Sequence, residues 1–344
     1  MTDTEAYDEL QAEEQPELHE HYRVVVDKGQ SLLRIDKYLT ARMEGVSRNK
    51  VQAAADAGCV QVNDKPVKSN YRVKGNDVIT LLLPHPVIEL EILPEDIPID
   101  VIFEDSDVIV INKRAGIVVH PGYGNYTGTL LNALLFHFQK HNEPEAFPYL
   151  VHRIDKDTSG LIIVAKNERA QTALGKQFFD HSIIRRYVAL VWGDLKSDEG
   201  TITGHLARSA SNRKMMAVYP DGETGKHAVS HYSVLERFRY TTMVECRLET
   251  GRTHQIRAHF KYIGHPLFAD ELYGGDRILK GTTFSKYKQF VDNCFRLLNR
   301  QALHARILGF IHPSSGKLTH FEAPLPEDMG SVIQKWREYS ETGM

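Results

Sequence analysis

Residues 151–166 read VHRIDKDTSGLIIVAK, a charged half running without a break into an apolar half. Arg153, Asp155, Lys156 and Asp157 stand directly before Thr158, Ser159 and Gly160, and the run Leu161 to Ala165 follows. Such a run of β-branched and aliphatic residues predicts a strand buried on both faces. Thr158 to Gly160 supply turn chemistry ahead of it. A polar loop feeding straight into a buried strand is held rigidly, which is what a reacting group requires. If the loop is extended, the pleat puts Arg153, Asp155 and Asp157 on one side. Read alone, Asp155 is a turn residue bonded to its own backbone, with Arg153 as a surface partner. The concentration of charge against a core strand moves the reading towards a site.

Strands are expected before and after this stretch. IDVIFED (99–105) and DVIVINK (107–113) read as strands, Gly116 to Pro121 as a turn, and Thr129 to Lys140 as an amphipathic helix. Glu168 to His181 is a second helix. From Arg185 on, RRYVALVWG, GTITGHLA, HAVSHYSVLERF and TTMVECRLET read as strands, and a helix is expected from Thr253 after the break at Gly251. ALHARILGFIHP and KLTHFEAP form a hairpin, and Pro326 to Tyr339 closes the chain as a helix. Strands outnumber helices without a βαβ rhythm, so the expected class is α+β on a largely antiparallel or mixed sheet.

A chain of 344 residues has room for two domains. The net charge of −3 hides an asymmetry. Residues 1–22 carry eight acids and no Lys or Arg, residues 23–80 carry eleven basic and six acidic residues, and residues 81–344 carry 31 of each. The expected organisation is an acidic disordered tail at 1–21, a small basic α/β module at 22–83, a linker at 84–98 and a larger domain at 99–340. The linker is marked by Pro84, Pro86, Pro94 and Pro98, with one short strand from Val87 to Ile92. Within the module, Arg34 to Met43 has helical spacing, and Ser47 is placed to cap a second helix running to Ala57. Cys59, Cys246 and Cys294 are odd in number and far apart, which suggests reduced thiols in the cytosol. No apolar run is long enough to span a bilayer, and the acidic start is unlike a signal peptide.

Other chemistries fit poorly. Asp155 and Asp157 lie two residues apart in one short segment, an unusual way to flank a sugar bond. His254 and His259 are five apart with no Glu between them, unlike a zinc helix. His227 and His231 share a strand face without a carboxylate. The glycines form no phosphate-binding pattern, and no metal or cofactor site is expected.

HRIDKDTSGLIIVAK resembles the catalytic motif of the RluA family of RNA pseudouridine synthases, usually HRLDKDTSGLLVVAK, with aliphatic swaps at Ile154, Ile162 and Ile163. NKRAGIVVHPG (112–122) is similar to the family's opening motif with Arg114 in place of Pro. RRYVALV (185–191) holds Tyr187 at the family's tyrosine position, with Arg186 where Lys is common. LETGRTHQIRAH (248–259) is nearly intact, and GHPLFADELYGG (264–275) carries Ala269 where Gly is usual. RIDKYL, SRNKVQ, GCVQVN and VKGNDVI, in that order, resemble the RNA-binding module named after ribosomal protein S four. With VHPGYGNYTGTLLNALL and RQALHA, the combination looks most like the RluD type, the branch acting on large-subunit (23S) ribosomal RNA.

The resemblance implies a base-flipping isomerase without cofactor, in which Asp155 acts at the sugar. Tyr187 would stack on the extruded base, and Arg252 would pair with Asp155 and keep it ionised. Arg153, His120, Lys113, Thr253, His254, Gln255 and Arg257 would contact substrate. Arg34, Lys37, Arg48, Lys50, Lys68 and Lys74 would grip phosphates. The partner would be ribosomal RNA or the assembling large subunit, met by a cytoplasmic monomer away from membranes. Two other classes stay in view: a non-catalytic ribosome-assembly RNA binder, and a hydrolase built on the Asp155/Asp157 pair.

Overall fold

The computed structural model describes residues 19–43, 46, 48–83, 92–122, 124–143 and 146–342. The chain divides into two compact units, residues 1–91 and 92–344. The first unit contains β1 (His19–Val25), β2 (Leu33–Arg34), α1 (Ile35–Thr40), α2 (Arg48–Asp56), β3 (Val60–Val62), β4 (Lys65–Pro66), β5 (Arg72–Val73) and β6 (Val78–Leu83). Its main sheet has the order β1-β6-β3-β4, and β2 pairs with β5. Asn63 and Asp64 both take positive φ in the β3–β4 hairpin, the conformation a tight two-residue turn demands. Ile35, Tyr38 and Leu39 of α1 and Val51 and Ala55 of α2 close the core against Val60, Ile79 and Leu81.

Sequence and structure part here in two places. The first strand starts at His19, so residues 19–21 belong to the module and not to an acidic tail. The rest of that tail, Ser47 and the expected strand from Val87 lie outside the described residues, apart from the irregular Ile92. Leu93 and Glu95, placed by sequence in a linker, are bonded to the larger unit. Asn132 Nδ2 donates to the Leu93 carbonyl at 2.7 Å, and the Glu95 N–H donates to the Asn132 carbonyl at 3.1 Å.

The second unit follows the order β7 (Val101–Glu104), β8 (Val108–Lys113), α3 (Leu130–Lys140), β9 (Tyr149–Leu150), β10 (Ser159–Ala165), α4 (Glu168–Phe179), β11 (Ile184–Trp192), β12 (Glu199–Arg208), β13 (Met216–Tyr219), β14 (Lys226–Arg237), β15 (Thr241–Leu248), α5 (Gln255–Tyr262), α6 (Ser285–Leu297), β16 (Leu303–Ile311), β17 (Leu318–Glu322) and α7 (Glu327–Thr342). Nine strands run β13-β12-β14-β15-β11-β16-β10-β8-β7, with β17 added to β16 and β9 to β10. The fold is α+β, as expected. Among the described strands every pairing is antiparallel except that of β10 with β16.

β10 is buried at every residue. Leu161, Ile163 and Ala165 enter one core cluster, while Ile162 and Val164 enter the cluster on the opposite face. The turn ahead of it sits earlier than expected, at Asp155 to Thr158, where the Thr158 N–H donates to the Asp155 carbonyl at 3.1 Å. Ser159 and Gly160 already pair with His304 and Ala305 of β16. At Gly160 φ is +112°, and a Cβ would lie 2.2 Å from the Ala305 carbonyl oxygen. Only glycine lets the two backbones meet there. β16 then leaves β10 and takes β17 as its neighbour from Ile307 onward. The loop carrying Asp155 therefore enters the sheet where it forks.

Candidate active site

Three groups anchor the Asp155 loop from below. Lys113, at the end of β8, is buried and donates through Nζ to the carbonyls of Arg114, Ile117 and Lys156 at 2.8, 2.9 and 2.9 Å. Burial drives its ammonium down to about 7, with Asp157 and Asp155 pulling upward and Arg300 downward. Arg300 grips the Asp328 carboxylate of α7 through Nε and Nη2 at 2.7 and 2.9 Å, and donates to the Asp157 carbonyl at 3.0 Å. His152 Nε2 accepts the Ile163 N–H at 3.0 Å, and its ring stacks on Phe178. Burial, and next Arg185, push that imidazole down to about 3, so it is a neutral acceptor.

Above the loop, charge is arranged as a chain. Arg257 Nη1 donates to Asp155 Oδ2 at 3.1 Å, while Nε and Nη2 hold both oxygens of Asp270 at 2.7 and 2.9 Å. Side-chain exposure is 19% at Asp155, 8% at Arg257 and 0% at Asp270. Burial lowers the Arg257 pKa, but the Asp270 and Asp155 carboxylates outweigh it and hold the guanidinium firmly charged. The Arg257 guanidinium also lies 4.9 Å from the Tyr273 ring centroid. Tyr273 OH meets His254 Nδ1 at 3.1 Å, and His254 Nε2 is 3.9 Å from Asp155 Oδ2. Burial lowers the His254 pKa, partly opposed by Asp155. One edge of the Asp155 carboxylate is thus fixed by a guanidinium that cannot swing away, because a second carboxylate holds it.

Tyr187 reaches the same place from β11. It pairs with Ala305 of β16, the residue that pairs with Gly160 on the other side, and a bulge in β11·β16 falls at Arg186/Tyr187. Bulges re-aim side chains next to sites. Tyr187 is 7% exposed, and burial raises its phenol pKa, so the hydroxyl stays protonated at neutral pH. It lines a cleft of about 520 Å³ with Arg153, Asp155, Phe178, Phe179, His181, Arg185, Arg252 and Arg257 among its walls. A second cleft, about 700 Å³, lies on the other side of Asp155 and is lined by His120, Asn125, Asp157, Arg208, Glu271 and Arg300. Both clefts share Arg153, Ile154, Asp155, His254 and Arg257. Arg153 is exposed where they meet.

Several expected roles change. Arg252 does not pair with Asp155: its Nε donates to the His227 carbonyl at 3.2 Å, and Arg257 takes the carboxylate instead. The reason is local. His254 adopts left-handed backbone (φ +53°), so α5 begins at Gln255 rather than Thr253 and its first turn presents Arg257. Thr253 is exposed and lines neither cleft. Gln255 is committed inside the protein: it accepts from Thr250 Oγ1 and the Arg252 N–H, and donates to the Val229 carbonyl and Ser230 Oγ. Lys113, buried under the loop, lines neither cleft and supports it from within. His120 is exposed in the second cleft, its Nδ1 2.7 Å from the Pro121 carbonyl oxygen.

Sequence reasoning missed Asp270 and Arg300, although they stand in GHPLFADELYGG and RQALHA. A carboxylate between two apolar stretches was the available signal for Asp270. In the first unit it passed over Asp36. This buried carboxylate binds Arg34 Nη2 at 3.0 Å, Arg48 Nε at 2.9 Å and Gln52 Nε2 at 2.9 Å. Burial raises the Asp36 pKa, but those three donors hold it well below the usual carboxylate range. Lys37, Lys50, Lys68 and Lys74 are exposed.

A family model described as RNA pseudouridylate synthase matches residues 107–262, and one described as S4 domain matches residues 33–79. A Chlorobaculum parvum protein named as an uncharacterized RNA pseudouridine synthase is 49% identical over 317 residues, 91% of this chain and 96% of its own. A Zymomonas mobilis protein named ribosomal large subunit pseudouridine synthase D is 42% identical over 86% of this chain and 91% of its own. The solved structure of human RNA pseudouridylate synthase domain containing 4 shares the fold, with a TM-score of 0.54 at 21% identity over 69% of this chain and 93% of its own. Sheet, cleft and matches together define an RNA-modifying isomerase joined to an RNA-binding S4 domain. The chain belongs to the RluA family of RNA pseudouridine synthases.

Proposed function

We propose that this enzyme converts specific uridines of large-subunit ribosomal RNA to pseudouridine, with Asp155 as the group that acts at the sugar. The observation carrying the reading is the Asp155 carboxylate, pinned on one edge by Arg257 and open to the cleft that Tyr187 lines. The reaction breaks the bond from the ribose to the uracil nitrogen, turns the base and rejoins it through C5, releasing the C5 proton. One ionised carboxylate, as nucleophile or base at the sugar, is enough to begin it. Arg257 keeps that charge in place, and Tyr187 offers a ring to stack on the flipped base with a protonated hydroxyl near its edge. Flipping costs a few kcal/mol, about what one stacked base and neighbouring phosphate contacts return.

Assignment to the large subunit rests on relatives carrying that name in Zymomonas mobilis, Xylella fastidiosa and Neisseria meningitidis, 41–43% identical to this chain. The reading extends to a cytoplasmic enzyme that meets its RNA, free or in the assembling subunit, as a monomer. Pseudouridine mapping of ribosomal RNA with and without this protein tests it. Sites in large-subunit RNA that vanish without the protein and return with it are expected. An unchanged large-subunit map would contradict the assignment, and release of free uracil would point instead to an Asp155/Asp157 hydrolase.

A further inference from the structure

The wall of the first cleft carries a cation that no group among the described residues neutralises. Arg185, two residues before Tyr187 on β11, is 8% exposed. Its Nε is buried without a hydrogen-bond partner. Among the described residues its guanidinium makes no hydrogen bond and no ion pair, unlike the buried Arg257 and Arg300, which each hold a carboxylate. Its near neighbours are the Phe178 ring, 5.4 Å from Cζ to centroid, and Gly251, where a Cβ would come within 2.8 Å of Nη1. Glycine at 251 leaves the guanidinium open. Among the described residues Asp155 is the one carboxylate in the lining of this cleft, and it is committed to Arg257. A desolvated charge without a counter-ion is costly, so this site favours an anion brought from outside.

Two neighbours show what kind of anion fits. Arg252 lines the same cleft and is engaged through a carbonyl, so its positive charge is also unspent. Phe179, the last residue of α4, is 83% exposed on the rim and offers a flat apolar face. A phosphate flanked by an unpaired base satisfies all three residues.

We propose that this wall is a subsite for the nucleotide adjacent to the target uridine, with Arg185 binding the phosphate that joins the two and Phe179 stacking on the neighbouring base. The proposal rests on the reading that Asp155 acts on uridine in RNA. It gives the enzyme a preference for a target with an unpaired neighbour, fixed by a cation and a ring outside the Asp155–Arg257–Asp270 chain.

The test uses the full-length protein and short ribosomal RNA fragments carrying one 5-tritiated uridine. A neutral methylphosphonate replaces the linkage on its 5′ or its 3′ side, and tritium release gives kcat/KM. One of the two linkages should lower kcat/KM by about 10- to 100-fold, the range expected when a charged hydrogen bond is removed. Arg185→Gln should show a similar loss with natural RNA and no further loss at that linkage. An abasic nucleotide beyond the sensitive linkage should impair the wild-type protein and not Phe179→Ala. Equal rates on both methylphosphonates and natural RNA overturn the subsite while leaving the isomerase reading intact, and need no variant to fold. Additive losses in Arg185→Gln overturn it as well. No tritium release from natural RNA by the wild-type protein overturns both readings.

Discussion

The carboxylate proposed to act at the sugar, as nucleophile or base, takes its orientation at Asp155 from Arg257. The guanidinium is 8% exposed and tied at its far side to Asp270. Arg257→Ala leaves two carboxylates facing each other with nothing between, and breaking such a buried pair costs about 3–5 kcal/mol. Single-turnover kinetics should show kcat falling by more than about a hundredfold with RNA affinity little changed. Arg252→Ala should do the reverse, raising KM while sparing kcat, since its side chain reaches a carbonyl and the cleft. Equal kcat losses in both variants would contradict the division of roles. That Asp155 and Tyr187 belong to one site was the expectation from two contiguous runs of characteristic residues, and the structure brings both to one cleft. The partner of Asp155 was not legible, because it depends on one backbone angle. His254 in left-handed conformation shifts the start of the helix by two residues, and nothing in the string THQIR announces that. Lys113 and Gln255 show a related effect: polar residues in a functional motif can spend their hydrogen bonds on the scaffold, even where, as at Gln255, the residue lines the cleft.

Among the elements, β10 carries the most weight. Its run Leu161 to Ala165 alternates between two core clusters, so sequence alone was enough to place it. Its parallel meeting with β16 was not visible, because the chain gives no sign that Gly160 and Ala305 touch. Gly160→Ala should cost about 2–4 kcal/mol in urea unfolding, through a forced positive φ and a clash with the Ala305 carbonyl. A neutral result would show that the two strands can separate. α6 was passed over although Tyr287, Val291 and Cys294 repeat at helical spacing on its buried face. β13, four half-buried residues on a hairpin edge, offers too short a pattern to read. Acid should expose a further property of these elements. His152, His259 and His304 sit in the loop before β10, in α5 and in β16, and burial lowers them from an ordinary 6.5 to about 3, 4 and 4. The unfolded chain then binds protons that the folded chain refuses. Stability should hold above about pH 6.5 and fall as pH drops from there towards 4, with unfolding taking up as many as three protons. Calorimetry across that range checks it, and a flat profile would mean that the three rings reach water.

For the whole molecule, the division of charge predicts a division of labour. Residues 23–80 have five more basic than acidic residues, and residues 81–344 are balanced. Asp36 holds Arg34 and Arg48 together in the smaller unit, and six exposed lysines stand on its surface. Protein lacking residues 1–91 should keep the fold and chemistry of the remainder but bind long RNA more weakly. Its salt dependence should flatten by about 0.7–0.9 for each phosphate that the shortened protein no longer neutralises. An unchanged salt slope in a binding titration would place the RNA surface elsewhere. The mechanism stands or falls on Asp155, and tritium release from 5-tritiated uridine in ribosomal RNA reports on it directly. Wild-type protein should release tritium, while Asp155→Asn, which keeps the shape and loses the charge, should bind the same RNA within a few-fold and release none. Substantial release by Asp155→Asn would contradict the central claim, because a carboxylate that the reaction does not need is not the group that acts at the sugar.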